Sequence, residues 1–359
     1  MVDAFAPLSF TRGPAMKNRI ALAPLTNRQS NEDGTLSDEE LHWLSMRAQG
    51  GFGLTMTCAA HVQENGKGFL DQLGVFDDKH LDGLTRLAAS IKKHDSLAIV
   101  QLHHAGVRSP KELIPGQPVG PSEHEETGSR ALSTEEVKTL VADFIAAAVR
   151  CEKAGFDGVE LHGAHNYIIC QFLSPEYNSR NDEYGGSPEN RARILWEIIT
   201  GIRQLCSPNF SLSVRLSPER YGLRMQEMLD LAENLMASGQ IDFLDMSLWD
   251  VFKESEDHSF KGHSLLYWFA KLPRHGVRLG VAGNIRTPTD VKNVLEAGVD
   301  FVVIGRAAII HHDFPNRMKA DPNFQPRTFP VSKDILSAEG VSKKFLDYLS
   351  LMPGLVIKE

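Results

Sequence analysis

The chain has 359 residues, of which 42% are apolar and 23% charged, with a formal net charge of −8. That size suits one barrel with insertions, and the composition is globular, without low-complexity tracts. The acidic balance argues against nucleic acid or an anionic membrane as partner. No apolar run approaches the roughly 18 residues of a spanning helix, and the polar N-terminus lacks a signal-like stretch, so a cytoplasmic protein acting on a small molecule is expected.

Short apolar segments alternate with longer segments of helical period, the order of parallel βα units. Residues 8–17 come first, and their Arg12-Gly13-Pro14 turn predicts a hairpin that plugs the bottom of the sheet. Candidate strands follow at 19–25, 54–59, 97–102, 158–161, 211–216, 243–247, 278–282 and 301–304. Eight strands predict an α/β fold, a single (β/α)8 TIM barrel with long βα loops. Ser37 with Glu40 and Ser133 with Glu136 read as capping boxes, while Ser187-Pro188 and Thr287-Pro288 read as caps with proline in the first turn. Gly155 and Gly298 read as stops. Val137, Leu140, Val141, Phe144, Ile145 and Ala148 form an apolar stripe that a barrel helix buries. Three connections, 105–132, 163–189 and 248–265, are too long for turns and follow strands, so they belong to the C-terminal face, where barrel active sites lie. Val341, Phe345 and Leu349 give 337–351 a helical spacing, available to cover the barrel or a neighbouring subunit, which leaves a homo-oligomer open.

Three features carry chemistry. His162, His165 and Tyr167 cluster where the fourth strand ends, offering several donors at one strand mouth. On these residues alone, catalysis, a satisfied structural pair and metal binding all remain open. Arg215 stands inside the apolar strand Ser-Leu-Ser-Val-Arg-Leu, where a cation needs an anionic partner or a ligand. Gly283-Asn284 and Gly305-Arg306 end the last two strands and are expected to cradle a phosphate, of substrate or of cofactor. Cys58, Cys151, Cys170 and Cys206 lie far apart without a C-x-x-C pair and are expected as reduced thiols, indicating neither an iron–sulfur cluster nor a zinc ribbon; the histidine spacing supplies no recognised zinc pattern, and no metal is expected.

Several of these segments together resemble the Old Yellow Enzyme family of flavin oxidoreductases: KNRIALAPLT, QLHHAG, DGVELHGAHNY, QFLSPEYNSRNDEYGGSPENR, VRLSP, VAGNI and VIGRA. The match runs from about Pro7 to Pro315, so 1–359 reads as one FMN-binding barrel domain with 316–359 a C-terminal extension packed on it. The resemblance implies non-covalent FMN, with Pro24, Leu25, Thr26 and Ala59 beside its ring, Gln101 and Arg215 at its pyrimidine edge, and Gly283, Asn284, Gly305 and Arg306 at its phosphate. It further implies NAD(P)H as cosubstrate in ping-pong kinetics and an α,β-unsaturated carbonyl or nitro compound as acceptor. His162 and His165 would grip the acceptor's oxygen, and Tyr167 would protonate its α-carbon. Asn166 stands where the family usually has glycine, and a left-handed turn is expected to survive there. His103 takes a place often held by tryptophan or alanine, and Thr26 stands where one bacterial branch has cysteine. Two other readings compete: a flavin-free barrel lyase or isomerase acting on a phosphorylated substrate, and a flavin-binding redox sensor.

Overall fold

A computed structural model describes residues 2–357. Eight parallel strands close into a barrel: β1 (Ile20–Leu22), β2 (Leu54–His61), β3 (Leu97–His103), β6 (Gly158–Gly163), β7 (Ser211–Leu216), β8 (Phe243–Ser247), β9 (Arg278–Ala282) and β10 (Phe301–Ile304). The seam joins the first strand to the last, Ile20 pairing with Val302. The short strands β4 (Val119–Gly120) and β5 (Arg130–Ala131) pair within the loop that follows β3. The first expected strand is longer than the observed β1, because Pro24 cannot continue the ladder. Conversely β2 outruns its expected end at residue 59, carried to His61 across an irregularity between Met56 and Ala59.

Helices cover the outside: α1 (Asp38–Gln49), α2 (Leu81–Lys92), α3 (Thr134–Lys153), α4 (Ile168–Leu173), α5 (Pro188–Leu205), α6 (Met225–Ala237), α7 (Leu265–Ala270), α8 (Pro288–Glu296) and α9 (Arg306–Ile310). The Ser133–Glu136 box closes reciprocally, as does one between Thr287 and Asp290, and Ser187 caps α5 ahead of Pro188. Ser37 accepts from the Glu40 amide, but Glu40 does not reach back; its carboxylate is buried and takes bonds from Asn27, Ser30 and Cys58 instead. A residue expected to cap a helix therefore ties down the loop after β1. All four cysteines are buried and free.

The hairpin at the bottom forms as expected. Leu8 and Met16 bridge antiparallel, and with Phe10 they close an apolar cluster made of Leu54, Met56, Leu97, Ile99, Phe243 and Phe301 inside the barrel. The Phe10 ring lies 5.4 Å from that of Phe243, so the lower barrel is filled rather than hollow. Beyond α9 the chain forms α10 (Phe314–Ala320), α11 (Lys333–Ala338) and α12 (Lys343–Ser350). One continuous helix over 337–351 is not what forms; Gly340, at φ +77°, separates α11 from α12. Val341, Phe345 and Leu349 are nonetheless buried, Phe345 against Trp43 of α1. Among the described residues no helix is long and apolar enough to cross a membrane.

Candidate active site

Strand pleating puts alternate side chains on the inside, so β3 sends Leu97, Ile99, Gln101 and His103 up the barrel in successive layers, and β8 sends Phe243, Asp245 and Ser247. The lower layers are apolar and the next is ionic. There the Gln101 amide donates to Glu160 Oε1 at 2.8 Å, and Arg215 Nε lies 3.2 Å from Asp245 Oδ2, close but not aligned for a hydrogen bond. All four side chains are buried. Burial and then the neighbouring Asp245 push the Glu160 carboxyl up to about 8, and burial also raises Asp245, with Arg215 pulling it back. One guanidinium thus faces two carboxyls, and a proton retained between the carboxyls keeps the layer neutral.

Above this layer the strand mouths carry the imidazoles. His162 Nδ1 accepts from the Ala164 amide at 3.3 Å, which puts the ring proton on Nε2, 3.4 Å from His165 Nδ1. His165 in turn donates from Nε2 to Ser247 Oγ at 2.8 Å. Burial holds His162 well below its ordinary value and brings His165 down to about 3, so both are neutral donors near pH 7. Their loop turns sharply, with His165 at φ +61° and Asn166 at φ +59°; the left-handed turn expected at Asn166 is present and includes its neighbour. The Tyr167 ring packs 4.9 Å from His162 and 4.2 Å from His103.

A cavity of about 380 Å³ runs along the barrel mouth. Pro24 and Leu25 line one side; His165, Arg215 and Ser247 line its floor; Gly283, Asn284, Gly305 and Arg306 close its far end. Arg286 stands there too, unnoticed in the sequence, and raises the positive charge at that end; Arg306 is lowered by burial and by Arg286. Among the described residues neither arginine has a carboxylate within ion-pair distance, as suits a phosphate. Gly283, at φ +154°, lets the turn pass Trp249, since a Cβ there would come within 3.0 Å of that residue's backbone. Asn284 donates to Asp250 at 3.0 Å and braces the same turn.

Of the residues singled out in the sequence, His165, Arg215, Pro24, Leu25 and the two glycine turns share this cavity. Ala59 is paired with Gln101 on adjacent strands; these two, Thr26, His162 and Tyr167 do not line the cavity itself. Three further contributors carried no local signal. Tyr348 of α12 hydrogen-bonds Thr26 and lies close enough to Tyr167 to interact with it electrostatically. Gln72, from the loop after β2, holds the ring of His103. Arg108 lies 4.8 Å over the Tyr167 ring and donates to the His165 carbonyl at 2.7 Å. Trp249, on the loop after β8, is 6.4 Å from His165 and under the Arg220 guanidinium.

Two glycine turns with unpaired arginines at the ends of the last two strands, a buried cation and neutral donors around one cavity form an arrangement suited to a phosphate-bearing cofactor. Residues 3–324 match the NADH:flavin oxidoreductase / NADH oxidase family, and the chain belongs to it. It is an FMN-dependent NAD(P)H oxidoreductase. It is 36% identical to the probable NADH-dependent flavin oxidoreductase YqiG of Bacillus subtilis, over 88% of this chain and 87% of that one. With an NADPH dehydrogenase of Bacillus cytotoxicus it shares 33% identity over 89% and 93% of the two chains. Among solved structures, the Old Yellow Enzyme homologue from Zymomonas mobilis superposes with TM-score 0.82 at 25% identity, covering 96% of this chain and 99% of that one. Morphinone reductase in complex with tetrahydroNAD gives 0.78 at 26%, covering 94% of each. Some relatives are longer: the chain spans 36% of the NADH:fumarate oxidoreductase of Klebsiella pneumoniae.

Proposed function

We propose that the protein reduces the C=C bond of α,β-unsaturated carbonyl or nitro compounds at the expense of NAD(P)H, in a ping-pong cycle. The observation that carries this reading is the single cavity that joins the arginine-rich glycine turns to Arg215 and His165. Gly283, Asn284, Gly305 and Arg306 would hold the FMN phosphate there; Pro24 and Leu25, with Thr26 and Ala59 beside them, would flank the ring, and Gln101 and Arg215 would meet its polar edge. Bound FMN supplies the two-electron store that separates oxidation of NAD(P)H from reduction of the alkene. The neutral imidazoles of His162 and His165 bind the acceptor's oxygen, which replaces their long 3.4 Å contact; His162 donates from Nε2, and His165 donates from Nδ1 in the tautomer whose Nε2 accepts from the Ser247 hydroxyl. Fixed neutral donors meet charge as it develops there, and losing one such donor typically costs about 2.7–4 kcal/mol of transition-state stabilisation. Tyr167, packed against His162 and His103, gives its hydroxyl proton to the α-carbon. Residues 1–359 act as one FMN-binding barrel domain, and the extension 316–359 completes its wall through Tyr348.

An anaerobic absorbance titration tests this reading. A flavin band that bleaches with NADPH or NADH and returns with cyclohexenone is expected. Protein that takes up no FMN sinks it, and a band that bleaches without returning removes the alkene as acceptor.

A further inference from the structure

The side chains grouped around Tyr167 offer more hydrogen-bond donors, and more positive charge, than one carbonyl oxygen needs. The first surplus donor is His103. The Gly68 amide donates to Gln72 Oε1 at 2.7 Å, which fixes the orientation of the Gln72 side chain. Gln72 Nε2 therefore donates, to the Ala59 carbonyl at 2.7 Å and to His103 Nδ1 at 3.1 Å. His103 Nδ1 is thus an acceptor, and its ring proton sits on Nε2. That Nε2 is buried without a partner, on a ring 4.2 Å from Tyr167 and 5.7 Å from His162. An unsatisfied buried donor costs about 1–3 kcal/mol, so its position beside the reacting groups points to a ligand.

The second surplus is charge. Arg28 stacks 4.4 Å over the ring of Tyr348, the residue that bonds Thr26, and its Nε is also buried and unpartnered. Arg108 covers Tyr167, and Tyr348 lies within electrostatic reach of both arginines and of Tyr167. Among the described residues neither arginine has a carboxylate within ion-pair distance, although the chain is acidic overall and most of its arginines are paired. Nor is Arg28 loosely held. Its left-handed backbone, φ +52°, is clamped from one side by Glu40 through Asn27 and Ser30, and from the other by α12, whose Ser342 amide donates to Gln29 Oε1 at 3.1 Å. A residue kept in an uncommon conformation and locked on both sides is one whose direction matters.

Resting on the function proposed above, we infer that the natural acceptor is an alkene bearing a carboxylate as well as its activating carbonyl, the carboxylate being held between Arg28 and Arg108 with His103 as an added donor. Hydride and proton add across the C=C bond and NAD(P)H is oxidised, while the carboxylate is left unchanged. An acceptor with one oxygen group satisfies the histidine pair and leaves two guanidiniums without an anion and the His103 donor without a partner; one with two supplies both.

The test is a titration of the FMN-loaded protein with 4-hydroxybenzoate and, separately, with the neutral 4-hydroxybenzamide, read by flavin absorbance. The anion is expected to bind about tenfold or more tightly than the amide, the scale of a charge-assisted contact partly screened by solvent. Arg28→Met and Arg108→Met should each shrink that ratio and together abolish it, while the lysine replacements retain part of it. The same order should appear in kcat/KM for 4-oxo-2-pentenoate against its amide. Equal binding of both phenols by the native protein overturns the inference, as does a ratio that survives in the double variant. A double variant that keeps the ratio but raises KM for NADPH relative to NADH assigns the arginines to the dinucleotide phosphate, which also overturns it. Absence of any flavin response to either phenol faults the underlying placement of the acceptor's oxygen on the histidine pair, and the inference falls with it.

Discussion

Replacing Glu160 with glutamine is expected to protect the protein as pH rises. Glu160 is wholly buried between Gln101 and the Arg215–Asp245 pair, and its pKa stands at about 8 rather than an ordinary 4.5. Between those values the folded chain keeps a proton that the unfolded chain has already released. Because the folded pKa of an acid is raised here, stability is greatest below about 4.5 and is lost progressively as pH climbs to about 8. At about 1.36 kcal/mol per pH unit the loss is on the order of 5 kcal/mol if Glu160 titrates alone. Sharing of the proton with Asp245 and the pull of Arg215 reduce this to a few kcal/mol, or several degrees in melting temperature. Glutamine keeps the acceptor for Gln101 and removes the charge. Melting curves followed by circular dichroism from pH 5 to pH 9 should therefore converge at the acid end and separate at the alkaline end, the variant melting higher. Parallel curves across that range would falsify the assignment of the buried proton to this layer.

Other consequences can be checked on the same protein. Tyr167→Phe should slow alkene-dependent reoxidation by about 10²–10⁴-fold and spare reduction by NAD(P)H, because only the acid is lost; stopped-flow traces with equal losses in both halves contradict that role. His162→Ala should weaken phenolic ligands, whose oxygen mimics the acceptor's, and unchanged affinity in a spectral titration moves the oxygen elsewhere. Gly283→Ala puts a Cβ within 3.0 Å of the Trp249 backbone at φ +154°, so FMN should be lost on gel filtration that the native protein survives; full retention removes the cradle from that turn.

Much of the barrel was legible because its signals are local. β7 through β10 have the expected bounds, each an apolar run ended by a turn residue. Errors arose where a distant partner decided the outcome. The Glu40 side chain is drawn from its cap to Asn27 and Ser30, and Gly340 ends the first part of the 337–351 segment before the period of Val341, Phe345 and Leu349 begins. The site divides the same way. His162, His165 and Tyr167 lie within six residues of one another, and Arg215 betrays itself as a charge in an apolar strand. The same signal marks Glu160 and Asp245, each a charge within an apolar strand. Gln72, Arg286 and Tyr348 reach the site from loops and helices whose sequences look like ordinary surface, and only folding shows where they point.

The seam of the barrel has a consequence for how the chain is made. Ile20 pairs with Val302, so the first strand waits about 280 residues for its second neighbour. On a ribosome moving at roughly 5–20 residues per second, one edge of β1 stays unpaired for on the order of 15–60 s, a template open to any passing strand. The Leu8–Met16 hairpin lies directly before that strand and is synthesised with it. Its apolar face can shelter β1 and β2 from below long before the ring is closed, which gives the hairpin a task during synthesis in addition to its place in the finished fold.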